Sequence, residues 1–139
     1  MAAINNTAVK GVVALEPGGF VFPEDEVPEA LPGLTGGLSG IPVLSEKFME
    51  LTRKPIVILY GDYIPESGAT TLGGSNWEVR LKMAREFVNA INRYGGNATL
   101  IELPKIGIKG NSHFLMQELN NDVIAALVAE WLSNNGLAQ

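Results

Sequence analysis

Pro55-Ile56-Val57-Ile58-Leu59-Tyr60-Gly61-Asp62 is the stretch that decides the fold. From Ile56 to Tyr60 every side chain is apolar or aromatic, with no alternation that would leave one face polar. A strand of this kind has to be covered on both faces, which is the habit of a parallel sheet flanked by helices. Gly61-Asp62 then ends the run with turn chemistry. Two other segments share the pattern. Val9 to Leu15 (VKGVVAL) is mostly apolar and stops at Glu16-Pro17-Gly18-Gly19, and Ala98 to Leu103 (ATLIEL) stops at Pro104.

Helical patterns separate and follow these runs. Ser45 is read as the N-cap of a short helix through Thr52 that presents Phe48, Met49 and Leu51. Val79, Met83, Phe87, Ala90, Ile91 and Tyr94 recur at helical spacing and predict a helix over 77–94, ended by Gly95-Gly96. Asn120 or Asn121 caps a last helix whose apolar stripe is Val123, Ile124, Leu127, Val128, Trp131 and Leu132, closed by Gly136. The order strand, helix, strand, helix, strand, helix predicts an α/β fold, with about three parallel strands and right-handed crossovers. No internal repeat is present, and 139 residues hold one domain, 1–139. Residues 17–45 are read as a long Pro/Gly-rich loop, with prolines at 17, 23, 28, 32 and 42 and glycines at 33, 36, 37 and 40. Such a length inside a compact domain suits a functional segment such as a lid.

Composition removes several function classes. Fifteen acidic against ten basic residues give a formal net charge of -5, which opposes binding to a phosphate backbone, so no nucleic-acid partner is expected. Glu24, Asp25, Glu26 and Glu29 stand among prolines and read as solvated loop charge rather than a metal site. With no cysteine, disulfides, thiolate metal sites and a cysteine nucleophile are excluded. No apolar run approaches the roughly 18 residues of a membrane span. No basic-then-apolar leader opens the chain, and its localisation stays unassigned because a cysteine-free chain suits any redox compartment.

In open parallel sheets ligands bind beyond the carboxyl ends of the strands. Glu16 follows the first run, Asp62 the second, and His113, the single histidine, lies in the loop after the third. A base and an orienting acid are two parts of a hydrolytic triad. Pattern alone leaves Glu16 as either such an acid or a surface carboxylate, and leaves Asp62 as an acid or an ordinary turn residue. No serine has the surroundings of a nucleophile. Ser39 in Gly36-Gly37-Leu38-Ser39-Gly40 misses the Gly-x-Ser-x-Gly spacing by one position and lacks a preceding strand. Ser75 has no glycine two residues on, and Ser112 adjoins His113 in sequence.

The segments Val9 to Gly18, Pro55 to Asp62, and Gly107-Ile108-Lys109-Gly110-Asn111-Ser112-His113-Phe114-Leu115-Met116-Gln117 resemble a bacterial and fungal esterase subgroup of the α/β-hydrolase family. Asn120-Asn121 with the helix ending in Trp131-Leu132 agrees. The resemblance covers nearly the whole chain but only the C-terminal part of the family's fold. It implies Glu16 as the triad acid, following the sixth strand of the family's sheet, and His113 as the base, with Asp62 as the reserve acid. It implies an acyl pocket lined by Phe20, Phe22, Leu34, Phe114 and Met116, side chains that core packing accounts for equally well. It implies a small ester substrate and no metal or organic cofactor. The family's serine elbow lies upstream of everything present here, so the chain by itself is expected to be inactive. The expected partner is that N-terminal hydrolase portion, or a second copy of the chain, along the edge of Val9 to Leu15, which only Lys10 guards. The alternative is a non-catalytic binding module on the same scaffold.

Overall fold

The computed structural model describes residues 2–138. In chain order the elements are α1 (Ala2–Asn5), β1 (Val12–Leu15), β2 (Val21–Pro23), β3 (Ile41–Val43), α2 (Ser45–Thr52), β4 (Ile56–Tyr60), α3 (Leu72–Arg93), β5 (Ala98–Glu102) and α4 (Asn121–Asn134). Single 3-10 turns at Leu103–Ile106 and Leu115–Gln117 bracket the loop that carries His113. β1, β4 and β5 form a parallel sheet in the order β1-β4-β5, with Val12 opposite Ile56 and Ile56 opposite Ala98. The expected α/β alternation of parallel strands and helices is therefore present.

β4 is the centre of the molecule. Each residue from Ile56 to Tyr60 is 2 % exposed or less. Ile56, Ile58 and Tyr60 join Phe48, Phe87 and Ile91 beneath α2 and α3, while Val57 and Leu59 join Leu103, Leu115 and Ile124 beneath α4. Alternate side chains of one strand thus feed two cores, as the unbroken apolar run required.

Several boundaries differ from the sequence reading, each for an identifiable reason. β1 starts at Val12 rather than Val9. Its ladder opens with Val12 N–H donating to Pro55 O at 2.9 Å, and Pro55 has no N–H with which to extend the pairing toward Val9. α3 starts at Leu72, five residues before Trp77, because the Thr71 hydroxyl accepts from Gly74 N–H and caps it. Gly73 and Gly74, poor helix formers, disguise that first turn. Ser45 is inside α2 and its hydroxyl donates to Asp25, so it does not cap the helix. Asn120 precedes α4, but its side chain is committed to Asn111 instead of the helix N-terminus.

Residues 17–45 are not a structureless loop. Val21–Pro23 and Ile41–Val43 pair as parallel strands, and Leu31 bridges Leu38. Leu34 N–H donates to Ser75 Oγ at 2.8 Å, and the Thr35 hydroxyl donates to Asn76 Oδ1, which fastens the tip of the segment to the start of α3. On the far side of the sheet, β1 has β4 as its one strand partner among the described residues. Among those residues no helix is long and apolar enough to cross a membrane.

Candidate active site

The carboxyl ends of β1, β4 and β5 open on one rim, and the chain reverses there through strained or glycine backbone. Glu16, directly after β1, has φ 45°. For a residue with a Cβ this left-handed conformation costs roughly 1–2 kcal/mol, and it persists where surrounding contacts over-determine it. Glu16 N–H donates to Leu59 O at 2.9 Å, which holds its backbone to the end of β4. Its side chain is buried, 2 % exposed, with both oxygens engaged: Oε1 accepts from Gly61 N–H at 2.6 Å, and Oε2 lies 2.9 Å from His113 Nδ1. A carboxylate has no proton to donate, so Nδ1 carries a hydrogen, and in the neutral ring Nε2 holds the lone pair. Among the described residues Nε2 has no hydrogen-bond partner.

Gly61 is indispensable to this arrangement. A Cβ there would lie 2.7 Å from Asn111 O, 2.8 Å from Glu16 Oε1 and 2.9 Å from Ser112 O. The close approach lets a backbone amide grip the buried carboxylate from one side while the His113 loop passes on the other. Burial, with the Glu16 carboxylate nearby, pushes the Tyr60 phenol well above its usual value. Tyr60 therefore stays neutral and donates to Pro17 O at 2.7 Å, fixing the turn that follows Glu16.

The loop before His113 is fastened residue by residue. Asn111, 1 % exposed, exchanges hydrogen bonds with Asn120, 2.7 Å one way and 3.0 Å the other. Its carbonyl accepts from Asp62 N–H at 2.8 Å. The Ser112 amide donates to Glu118 Oε1 at 2.8 Å and its hydroxyl binds the same oxygen, which lowers the Glu118 carboxyl below its usual value. Around the imidazole, the Trp77 ring centre is 4.0 Å away and the Phe114 ring centre 4.7 Å.

Asp62, the reserve acid, is occupied elsewhere. Its Oδ2 accepts from Gly110 N–H and its Oδ1 from Tyr63 N–H, at 2.9 and 2.8 Å. Those bonds, Gly110's first, hold its carboxyl below the ordinary aspartate value. Because the folded value is depressed, the stabilisation is present above the unfolded value of about 3.8 and is lost as pH falls through the folded one. We expect the Gly110 amide proton resonance to move upfield as the solution is acidified through that window, and Asp62→Ala to abolish the movement. A flat Gly110 resonance in the unaltered protein contradicts the assignment.

The aromatic and methionine side chains divide. Phe114 and Met116 are exposed, at 54 % and 51 %. Met116 lines a shallow groove of about 340 Å³ with Leu15 and Ile124 beside β1. Leu34 is likewise exposed, on the clipped segment. Phe20 and Phe22 are core residues packed on Phe87, ring centres 5.4 and 6.2 Å apart. Phe20 borders a mainly apolar cavity of about 260 Å³ between α1 and β1, whereas Phe22, 2 % exposed, has no surface to offer a ligand. Among the described residues no three His, Asp or Glu side chains gather as metal ligands would. Sequence pattern does not reveal that Gly61 grips Glu16, 45 residues away, that Trp77 lies against His113, or that the Asn111 and Asn120 side chains pair across nine residues.

No family model and no curated protein matches the chain. Among solved structures it is similar to a novel bacterial esterase determined at atomic resolution, with 30% sequence identity and a TM-score of 0.68 over 96% of this chain. The matched region is 33% of that esterase, so the chain spans about a third of its length. The mixed α/β fold of this chain is esterase-like.

Proposed function

We propose that this chain is the acid-and-base portion of a serine carboxylic-ester hydrolase, the C-terminal part of an α/β-hydrolase domain whose nucleophile lies on a preceding segment. The observation that carries the reading is the 2.9 Å contact between His113 Nδ1 and a buried Glu16 carboxylate. The esterase neighbour, three times as long as this chain, supports it.

In the assembled site, His113 Nε2 takes the proton of the incoming serine hydroxyl as its Oγ attacks the ester carbonyl. Glu16 holds the ring in that tautomer and stabilises the imidazolium that forms. The imidazolium then gives its proton to the departing alcohol oxygen as the C–O bond breaks, leaving an acyl-enzyme. Water, deprotonated by the same nitrogen, releases the acid and restores the serine. Phe114, beside the imidazole, is the residue here best placed to meet the substrate.

The serines of this chain do not suit the nucleophile's part. Ser75 Oγ is buried and accepts from Leu34 N–H, and Ser112 is tied to Glu118. Ser39 lies in the clipped 17–45 segment. The missing portion would pair along the outer edge of β1, Val12 to Leu15, where the groove on one side and the cavity on the other are lined mainly by apolar residues. Dimerisation through that edge is the competing use of the same surface.

The isolated chain is expected to give negligible turnover of p-nitrophenyl acetate, since a His-acid pair alone offers only general-base assistance. Turnover that a serine-directed phosphonate abolishes would locate a nucleophile within this chain and overturn the division of labour.

A further inference from the structure

We propose that Arg80 is an anion-recognising residue at this rim, and that the ester handled here carries a carboxylate. The inference rests on reading Glu16 and His113 as acid and base, and it concerns what else the rim can hold.

The chain has four arginines, and three are spoken for. Arg53 pairs with Glu50, Arg85 with Glu66 and Glu102, and Arg93 with Glu26. Arg80 has neither a carboxylate nor any other hydrogen-bond partner among the described residues. In a protein with fifteen acidic residues, an arginine with five unengaged donors stands out. Its position is fixed all the same. The guanidinium carbon lies 4.4 Å from the centre of the Trp77 ring, and that same indole lies against His113, ring centres 4.0 Å apart and tilted by 40°. One indole therefore contacts both the cation and the base. Stacking on an aromatic face orients a guanidinium while leaving its edge, where the N–H donors are, free to take a carboxylate in the bidentate manner.

No carboxylate of the described residues forms an ion pair with it. Both Glu16 oxygens are used by Gly61 and His113. Opposite the guanidinium the chain has Gly18, exposed and without a side chain. A Cβ at Gly18 would lie 3.7 Å from Arg80 Nε, an ordinary contact. A substrate carboxylate would take the unengaged donors of Arg80, with the ester carbonyl reaching toward His113. The chemical class is thus a monoester of a dicarboxylic acid, or an ester whose alcohol part bears a carboxylate.

The test is an NMR titration of the full chain with the monomethyl esters of succinate, glutarate and adipate, and with the matching dimethyl esters. Following the Arg80 Nε–H, the Trp77 indole N–H and the His113 ring protons reports binding without needing turnover. A charge-assisted bidentate pair predicts at least one monoester binding roughly tenfold more tightly than its diester, with all three residues perturbed. Arg80→Gln should erase the preference. Gly18→Asp, which keeps Arg80 but supplies an internal carboxylate at a position with room for it, should erase it too, with an unchanged circular dichroism spectrum. Equal binding of monoesters and diesters, a preference that survives Arg80→Gln, or binding that leaves His113 unmoved each overturns the proposal. Failure of the esterase reading would appear elsewhere, as hydrolysis of a neutral ester by the assembled enzyme that is indifferent to His113→Ala.

Discussion

If Glu16 and His113 act as proposed, Glu16→Gln is expected to lower kcat of the proposed two-part esterase by about four orders of magnitude while leaving the fold intact. The argument is one of hydrogen-bond polarity. Gly61 N–H points at Oε1 from 2.6 Å and requires an acceptor there. A glutamine in the same pocket satisfies it with its amide oxygen, which turns the NH₂ group toward His113 Nδ1. Nδ1 must then become the acceptor, and the ring proton moves to Nε2. The nitrogen that should abstract the serine proton becomes a donor. Since His113 is the single histidine of the chain, its tautomer can be read without ambiguity from two-bond ¹H–¹⁵N correlations in the isolated protein. The unaltered chain should show the proton on Nδ1 and the glutamine variant should show it on Nε2. An unchanged tautomer in the variant would mean that Gly61 does not dictate which way the side chain faces.

Gly61→Ala should be nearly as damaging, by a different route. The added methyl meets two backbone carbonyls and the Glu16 carboxylate, all closer than 3 Å, and that carboxylate is buried and held by Gly61 and His113. Relief requires the 111–112 backbone to withdraw from β4, breaking the Asp62–Asn111 bond and carrying His113 away from Glu16. Overpacking of this kind costs about 1–3 kcal/mol, so thermal unfolding should drop by several degrees. The His113 ring resonances should broaden or shift, because the Glu16 contact is no longer held. A variant as stable as the parent, with unaltered His113 resonances, contradicts the role given to Gly61.

The sheet was legible because its signal is local. PIVILY carries its own instruction to be buried on both faces, and Gly61-Asp62 marks where it must stop. The rim residues followed, since the ends of parallel strands are where their polar successors meet. Pattern alone does not separate Glu16 from Asp62 as the partner of His113, since both follow apolar strands; the resemblance favours Glu16, and in three dimensions Asp62 commits its oxygens to Gly110 and Tyr63. The 17–45 segment misled because its prolines and glycines mask two three-residue strands, and because its anchor, Ser75, is 41 residues from Leu34. For Phe22 the sequence leaves two readings open. Pocket lining and core packing account for it equally well in the sequence, and the β2–β3 pairing folds it against Phe87.

The central claim is that Glu16 and His113 complete an ester-hydrolysing triad whose serine comes from elsewhere. Co-expression of this chain with the segment encoded immediately upstream of it, followed by hydrolysis of a short-chain p-nitrophenyl ester, tests it most directly. The account predicts activity only when both polypeptides are present, its loss on His113→Ala in this chain, and labelling of the upstream polypeptide alone by a serine-directed phosphonate. Activity that survives His113→Ala, or a phosphonate label on this chain, would contradict it.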